Sequence, residues 1–378
     1  MPGLRAAFLS VWAVILSVAF VQAANGLQTD LIGIRADLAS FPAWTIGLMM
    51  ATYYVGYAVV PKTGRYVIGR IGHVRTIAVC ATAAAAVIVT HPFLVTPVVW
   101  TGLRLVSGFA LSLVYVSFES WINDRAPNAL RGRIFSIYVV AQMIALTLAQ
   151  YLLTLGDPKA IDLFVLSGVL FVLAAAPVAI ARRGAPATLP PVPLNVVKLF
   201  HVSPLGAIAT VLAGMTWSIV FTFGPVYAQH VGFALAGIGL FMGLSMAAGG
   251  LLQFPLGWLS DIVGRRPVIA GMFVAGLGAS LFGIWAVHRG VNANLVAAVL
   301  TGGFVFPMYA ISVAHINDTI APETRVAAAA GLILLYGLGS FFGPLLCGWA
   351  MTAMGSAGYF ALLSVTMAAG AGVAARYR

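Results

Sequence analysis

The chain has 378 residues, of which 8% are charged and 61% hydrophobic, and its formal net charge is +11. Ordinary soluble domains carry about 25% charged residues, and so few polar groups cannot cover the surface of a soluble fold. With a mean hydropathy of +1.02, the composition excludes a soluble enzyme, a disordered chain and a nucleic-acid module, and leaves an integral membrane protein.

A membrane β-barrel does not fit, because its strands alternate polar and apolar residues while the apolar residues here run in long blocks. A bilayer span needs about 20 mostly apolar residues. Twelve blocks meet that length: 6–28, 43–61, 74–92, 97–122, 133–155, 161–181, 204–228, 235–258, 267–287, 292–316, 325–349 and 356–375. The first follows Arg5 and contains Val21-Gln22-Ala23, which resembles a secretory signal with a cleavage site. More spans follow, and the internal repeat needs this block as its first helix, so it reads as a span. Cys80 and Cys347 lie inside apolar blocks and read as small hydrophobes with no disulfide.

Lys and Arg set the orientation. With the N-terminus inside, the inner segments carry 16 of them and the outer loops 3, and Arg104 lies within a span. That bias predicts cytoplasmic termini in a cytoplasmic, inner-type bacterial membrane. The net positive charge is thus a membrane-orientation signal, with no nucleic-acid partner implied. The longest linker, 182–203, contains GAPATLPPVP and divides the spans six and six. The expected domains are an amino-terminal bundle over 1–181, a cytoplasmic linker over 182–203 and a carboxy-terminal bundle over 204–378.

The halves repeat one another. INDRAPNALRGR at 122–133 echoes INDTIAPETRVA at 316–327, and Gly108 matches Gly302. The loop PKTGRYVIGRIGHVR (61–75) echoes PLGWLSDIVGRR (255–266). The fold class expected is an all-α membrane protein of twelve transmembrane helices in two pseudo-symmetric six-helix bundles, duplicated in parallel.

The segment GWLSDIVGRR (257–266) resembles the loop motif of the major facilitator superfamily, with Gly257, Asp261, Gly264, Arg265 and Arg266 matching and Ile262 departing from the usual basic residue. Its copy between the second and third spans is degraded: Arg70 and Gly72 fit, Gly69 replaces the acid, and His73 and Val74 replace the basic pair. Physically, Gly257 permits close backbone approach and Gly264 a tight turn, and a carboxylate near a helix N-terminus is stabilised by free N–H groups. In the family this loop latches one half to the other. The resemblance implies that Asp261 meets the start of the fifth span near Arg131 and Arg133, and that Arg70 or a neighbouring Arg meets Glu323. Solvated inner charges are the competing reading.

The fourth span contains RLVSGFA, which resembles the family's fourth-helix motif, an Arg followed four residues later by Gly. Intramembrane charge is costly and points to function. Arg104 and Glu119 are 15 residues apart, so about 22 Å apart along a helix and roughly 60° apart in azimuth. Both can face one cavity. Arg104 is expected to have Gln22, Asn25 and Asp30 of the first span as neighbours. Glu119 carries two readings, an inner-face acid bonded to Arg125, Arg131 or Arg133, or a proton-coupling group. Asp30 and His315 are further candidates for proton coupling, His315 with a structural alternative.

ESWIND, then RGRIF at 131–135, narrows the resemblance to the YcaD-type group of small bacterial facilitators. In the superfamily spans one, four, seven and ten surround the substrate. That implies cavity roles for Gln22, Asn25, Arg104, Trp217, Phe221, Phe306 and Tyr309, with Gln142 and Gln253 nearby. The fifth span lacks the G-x-x-x-G-P pattern common in drug antiporters, and GSFFGP appears instead in the eleventh. Gly339, Gly343 and Pro344 there, with Gly108, are expected to serve helix packing.

No phosphate-binding loop, metal-spaced cluster or catalytic order of residues occurs in the sequence. The expectation is a non-enzymatic, monomeric secondary transporter of a small solute. It works by alternating access in the lipid bilayer, with proton coupling and export as the first reading, the direction and the driving ion left open, and with no cofactor or metal. A uniporter and a non-transporting sensor or scaffold are the alternatives.

Overall fold

The structure is a computed structural model and describes residues 2–125, 130–181, 196–320 and 325–377. Among these no strand occurs. The helices in chain order are α1 (Pro2–Leu38), α2 (Ala43–Ile71), α3 (His73–Thr90), α4 (Pro97–Arg125), α5 (Arg131–Leu152), α6 (Asp162–Leu173), α7 (Ala175–Ile180), α8 (Val196–Val202), α9 (Pro204–His230), α10 (Leu235–Val263), α11 (Arg265–Ala286), α12 (Gly290–Val305), α13 (Met308–Thr319), α14 (Arg325–Met354) and α15 (Ala357–Arg376). Among the described residues twelve spans are long and apolar enough to cross a membrane, the number expected from the sequence. In hydrocarbon every backbone group must find its partner within the protein, and uninterrupted helices achieve this.

Two spans are broken where proline removes a donor. The sixth divides into α6 and α7, because Pro177 has no N–H for the carbonyl of Leu173, where α6 ends. The tenth divides into α12 and α13 at Phe306-Pro307 for the same reason. The first span is longer than expected. The block 6–28 stops short of Asp30, Arg35 and Asp37, yet α1 continues through all three to Leu38. Asp30 is 1% exposed, so tertiary burial carries the helix past the polar residues that would end it on hydropathy alone.

Two joints need glycine. Gly72 alone separates α2 from α3, at φ 80 and ψ 162, and Gly264 alone separates α10 from α11, at φ 93 and ψ 152. Both fall in a region essentially reserved for glycine. The degraded loop copy therefore keeps the backbone geometry of the intact one after losing its acid.

The chain forms two compact units. One comprises Met1–Ile32 and Val55–Pro191, the other Gly33–Tyr54 and Val192–Arg378. In the first, α3 packs on α4 and α6. Gly26 of α1 rests on Ala149 and Leu146 of α5, and Gly56 of α2 on the α4 backbone at Leu105. In the second, α9 is the inner helix, with α14, α13, α15 and α10 packed around it. The segment 33–54 also packs within this unit. Gly33 faces Thr222 and Val226 of α9, Trp44 stacks on Trp349 at 5.9 Å, and the Trp44 N–H donates to Thr352 Oγ1 at 3.2 Å. At the end of α1, Asp37 accepts from Gln229 Nε2 at 2.9 Å and pairs with His230 Nε2 at 2.7 Å.

Candidate functional site

In the first unit a set of neutral polar side chains joins α1, α4 and α5 at mid-span. The contact of Gly26 with Ala149 and Leu146 brings α1 against α5, and Gln22, about one turn earlier, reaches Gln142. Gln22 Nε2 donates to Gln142 Oε1 at 3.1 Å, and the Tyr115 hydroxyl donates to Gln22 Oε1 at 2.6 Å. One turn further along α1, Gln28 Nε2 donates to Asn25 Oδ1 at 3.1 Å and to Ser107 Oγ at 3.4 Å. Gln28 and Ser107 are buried, whereas Gln22, Asn25, Tyr115 and Gln142 are half-buried.

The charged candidates sit differently. Arg104 is only 3% exposed. Its charge lies within reach of His91, which shares a hydrogen bond with the Val87 carbonyl at 2.8 Å and accepts one from Trp100 Nε1 at its own carbonyl, 3.0 Å. The expected neighbours Gln22 and Asn25 bond to Gln142, Tyr115 and Gln28 instead. Asp30 is buried beside Gln150 of α5. Glu119 is half-buried on α4, four residues after Tyr115 and so on the same face. It lies within electrostatic reach of Tyr138 on α5. Of the basic partners expected for Glu119, Arg125 pairs with Asp124 at 3.4 Å and Arg133 is exposed. The side chain of Arg131 lies outside the described residues, as does Glu323.

The second unit carries an aromatic cluster of its own. Trp217 stacks on Phe221 at 5.9 Å and meets Phe306 edge to face at 4.8 Å. The break at Pro307 places Phe306, whose ring also abuts Gly249 of α10. Tyr309, expected beside them, instead meets Tyr336 of α14 at 4.7 Å. The packing glycines act within this unit. Gly339 lies against the Val211 carbonyl and Gly343 against Met215 and Ser218, so α14 approaches the α9 backbone directly. The Pro344 carbonyl touches Gly47 of α2. Gly108 is buried on α4.

At one end of this unit the loop motif forms a charge cluster. Arg265 Nη2 pairs with Asp261 at 2.5 Å, Arg265 Nε donates to Asp318 at 3.1 Å, and Arg265 Nη1 donates to Ser260 Oγ at 2.5 Å. Arg266 Nη2 donates to the Ala374 carbonyl at 3.2 Å. His315 falls within reach of Asp318, Arg265 and Arg266, so it belongs to this cluster and not to the aromatic one. Gly264 makes the expected turn. Gly257 differs from expectation, because the space where its Cβ would stand is open, so no close approach requires a glycine there. Arg70, the matching residue of the degraded copy, is exposed at the end of α2.

Sequence reasoning did not single out Gln28, Ser107, Tyr115 or Asp318. Asp318 was within reach of it: the IND repeat makes Asp318 the equivalent of Asp124, each at the end of the second span after a loop motif. Tyr115 had a helical signal, since it shares a face with Arg104 and Glu119.

Residues 206–378 match the family model described as Major Facilitator Superfamily. An uncharacterised MFS-type transporter, YcaD, of Salmonella arizonae is 26% identical over 313 residues, covering 81% of this chain and 79% of the relative. The same protein of Salmonella enteritidis is 25% identical over the same shares. Among solved structures, the nucleoside transporter NupG superposes with a TM-score of 0.78 at 15% identity, covering 98% of this chain and all of NupG. A bacterial homologue of the human lysosomal transporter Spinster gives 0.78 at 14%, covering 100% and 98%. Identities this low carry the fold alone.

The twelve spans and these likenesses define the fold of the transporters on which the chain superposes, and residues 206–378 carry a likeness to the major facilitator superfamily. Within it, the chain is similar to the YcaD-type transporters.

Proposed function

We propose that the chain is a proton-coupled secondary transporter of a small solute, working by alternating access in the bacterial cytoplasmic membrane with both termini inside. The observation that carries this is the position of Glu119: a half-buried carboxyl on α4, on the same face as Tyr115, which is bonded to Gln22 and through it to Gln142. A carboxyl one helical turn from a polar lining can exchange a proton in step with solute binding, and ionisable groups inside spans mark such paths. Asp30, buried beside Gln150, is the second proton candidate. Gln22 and Asn25 offer hydrogen bonds to a solute, while Trp217, Phe221 and Phe306 offer aromatic faces. The conformational latch is assigned to the loop motif with Asp261, Arg265 and Arg266, its counterparts being Arg131 and Arg133 for Asp261, and Glu323 for Arg70 of the degraded copy. The proton gradient is the driving force. The nucleoside specificity in NupG's name makes nucleosides one solute class to try first.

The test is solute flux in proteoliposomes with and without an imposed pH gradient. The reading requires accumulation that depends on the gradient and is lost in Glu119→Gln. Flux insensitive to the gradient would make the protein a uniporter.

A further inference from the structure

The reachable polar groups at mid-span in the first unit are uncharged. Gln22, Asn25, Tyr115 and Gln142 are half-buried, and polar side chains at this depth face a wet cavity or the bundle interior, not lipid. Of the ionisable groups nearby, Arg104 at 3% exposure and Asp30 at 1% are withdrawn, and Glu119 is half-buried one turn along α4 from Tyr115. The hydrogen-bond inventory is also one-sided. The Gln22 and Gln142 side-chain oxygens and Asn25 Oδ1 already accept bonds from Tyr115, Gln22 and Gln28 respectively. Gln142 Nε2 and Asn25 Nδ2 donate none of the described bonds, and neither belongs to the buried unsatisfied atoms. They are donors open to a visitor.

We infer that the first unit recognises an uncharged, oxygen-rich solute, with Gln142 Nε2 and Asn25 Nδ2 donating to its hydroxyl or carbonyl oxygens and the Tyr115–Gln22–Gln142 chain fixing the carboxamides in that orientation. The inference rests on the transport reading above and names its solute class. A charged solute would leave water for a lining of neutral amides that cannot balance it. Glu119 lies about 6 Å along the axis from Tyr115 and is assigned to the proton; an organic cation on it is one outcome of the test. Because Tyr115 holds Gln22, and Gln22 holds Gln142, Tyr115 is a positioning residue.

The experiment is a thermal-shift titration of the purified full chain. The probes are ribose, uridine and N-acetylglucosamine, against lactate and tetraphenylphosphonium. At least one neutral probe is expected to raise the melting temperature saturably while both ions do not. Gln142→Leu should weaken that probe's apparent affinity roughly tenfold. Tyr115→Phe, which keeps the ring and so the packing, should weaken it severalfold, and Gln142→Asn should recover part of the loss. Stabilisation by either ion alone, no shift with any neutral probe, or a neutral-probe shift unchanged in both Gln142→Leu and Tyr115→Phe would overturn the inference. Transport of a charged solute in proteoliposomes would overturn it and leave the transporter standing. Neutral binding without flux under any gradient would do the reverse.

Discussion

Arg265 donates to Asp318 at 3.1 Å while also pairing with Asp261 at 2.5 Å, so one guanidinium ties the start of α11 to the end of α13 and to the last turns of α10. The other unit carries the same arrangement in weaker form. His73, at the start of α3, shares a hydrogen bond with Ser120 at 3.0 Å and lies within reach of Asp124 at the end of α4. A permanent cation with a fork of donors has been replaced by a ring whose charge depends on its proton. The duplicated halves are thus fastened by chemistry of unequal strength at equivalent positions.

Asp318 and Asp261 are 57% and 61% exposed, and exposed pairs contribute about 0–1 kcal/mol. Asp318→Asn and Asp261→Ala should therefore change thermal stability by less than about 1 kcal/mol. If Asp261 belongs to the proposed latch, Asp261→Ala should still raise the labelling of a cysteine introduced at Ser120 by a thiol reagent supplied from the cytoplasmic side. Equal labelling in both proteins would remove Asp261 from the latch.

The two single-residue joints make a sharper contrast. Gly72→Ala and Gly264→Ala force a side chain into a backbone region that costs on the order of 1–3 kcal/mol. Gly257→Ala, in open space on a helix, should be neutral or slightly stabilising. Melting temperatures of the three variants decide this. Equal losses at 257 and 264 would mean that the motif's glycines are not distinguished by backbone geometry.

Close backbone approach does explain Gly339 and Gly343. A side chain at either would strike the α9 backbone at Val211 or Met215. Overpacking of a tight contact costs typically about 1–3 kcal/mol. Gly339→Leu should accordingly destabilise the protein by at least that much in thermal unfolding. Leu at Gly337 of the same helix, where nothing stands within 4 Å, should leave melting unchanged.

The twelve spans, the parallel duplication and the packing glycines could be read from the sequence because each follows from a local quantity: block length, an offset, or a small residue at a helical spacing. The end of α1 could not. Asp30, Arg35 and Asp37 lower local hydropathy, and only their neighbours in space (Gln150 beside Asp30, His230 and Gln229 on Asp37) keep that stretch helical. The breaks at Pro177 and Pro307 fall at prolines inside apolar blocks, where block length alone predicts an unbroken span. Trp217, Phe221 and Phe306 converge because Pro307 turns the chain, whereas Tyr309 beyond the same break is turned to Tyr336. Partner choice among Gln22, Tyr115 and Gln142 depends on helix rotation, which no single-sequence pattern fixes.

Arg104 offers a test of burial against exposure. At 3% exposure its guanidinium is buried within reach of His91, and truncating an Arg packed this tightly costs stability through lost contacts as well as lost charge. Arg104→Ala should lower thermal stability and abolish flux together. Arg104→Lys should recover stability more than flux, because the fork of donors is lost. Wild-type flux in either variant would remove Arg104 from the transport machinery.

The central claim is that solute movement is driven through a proton carried on the α4 face, and one measurement addresses it directly: solute accumulation and proton flux recorded together in proteoliposomes across a stepped pH gradient, for the wild type and for Glu119→Gln. The account predicts that the wild type moves solute and protons in fixed proportion, while the variant equilibrates solute without moving protons. Gradient-driven accumulation that survives in Glu119→Gln, or solute movement in the wild type with no accompanying protons, would contradict it.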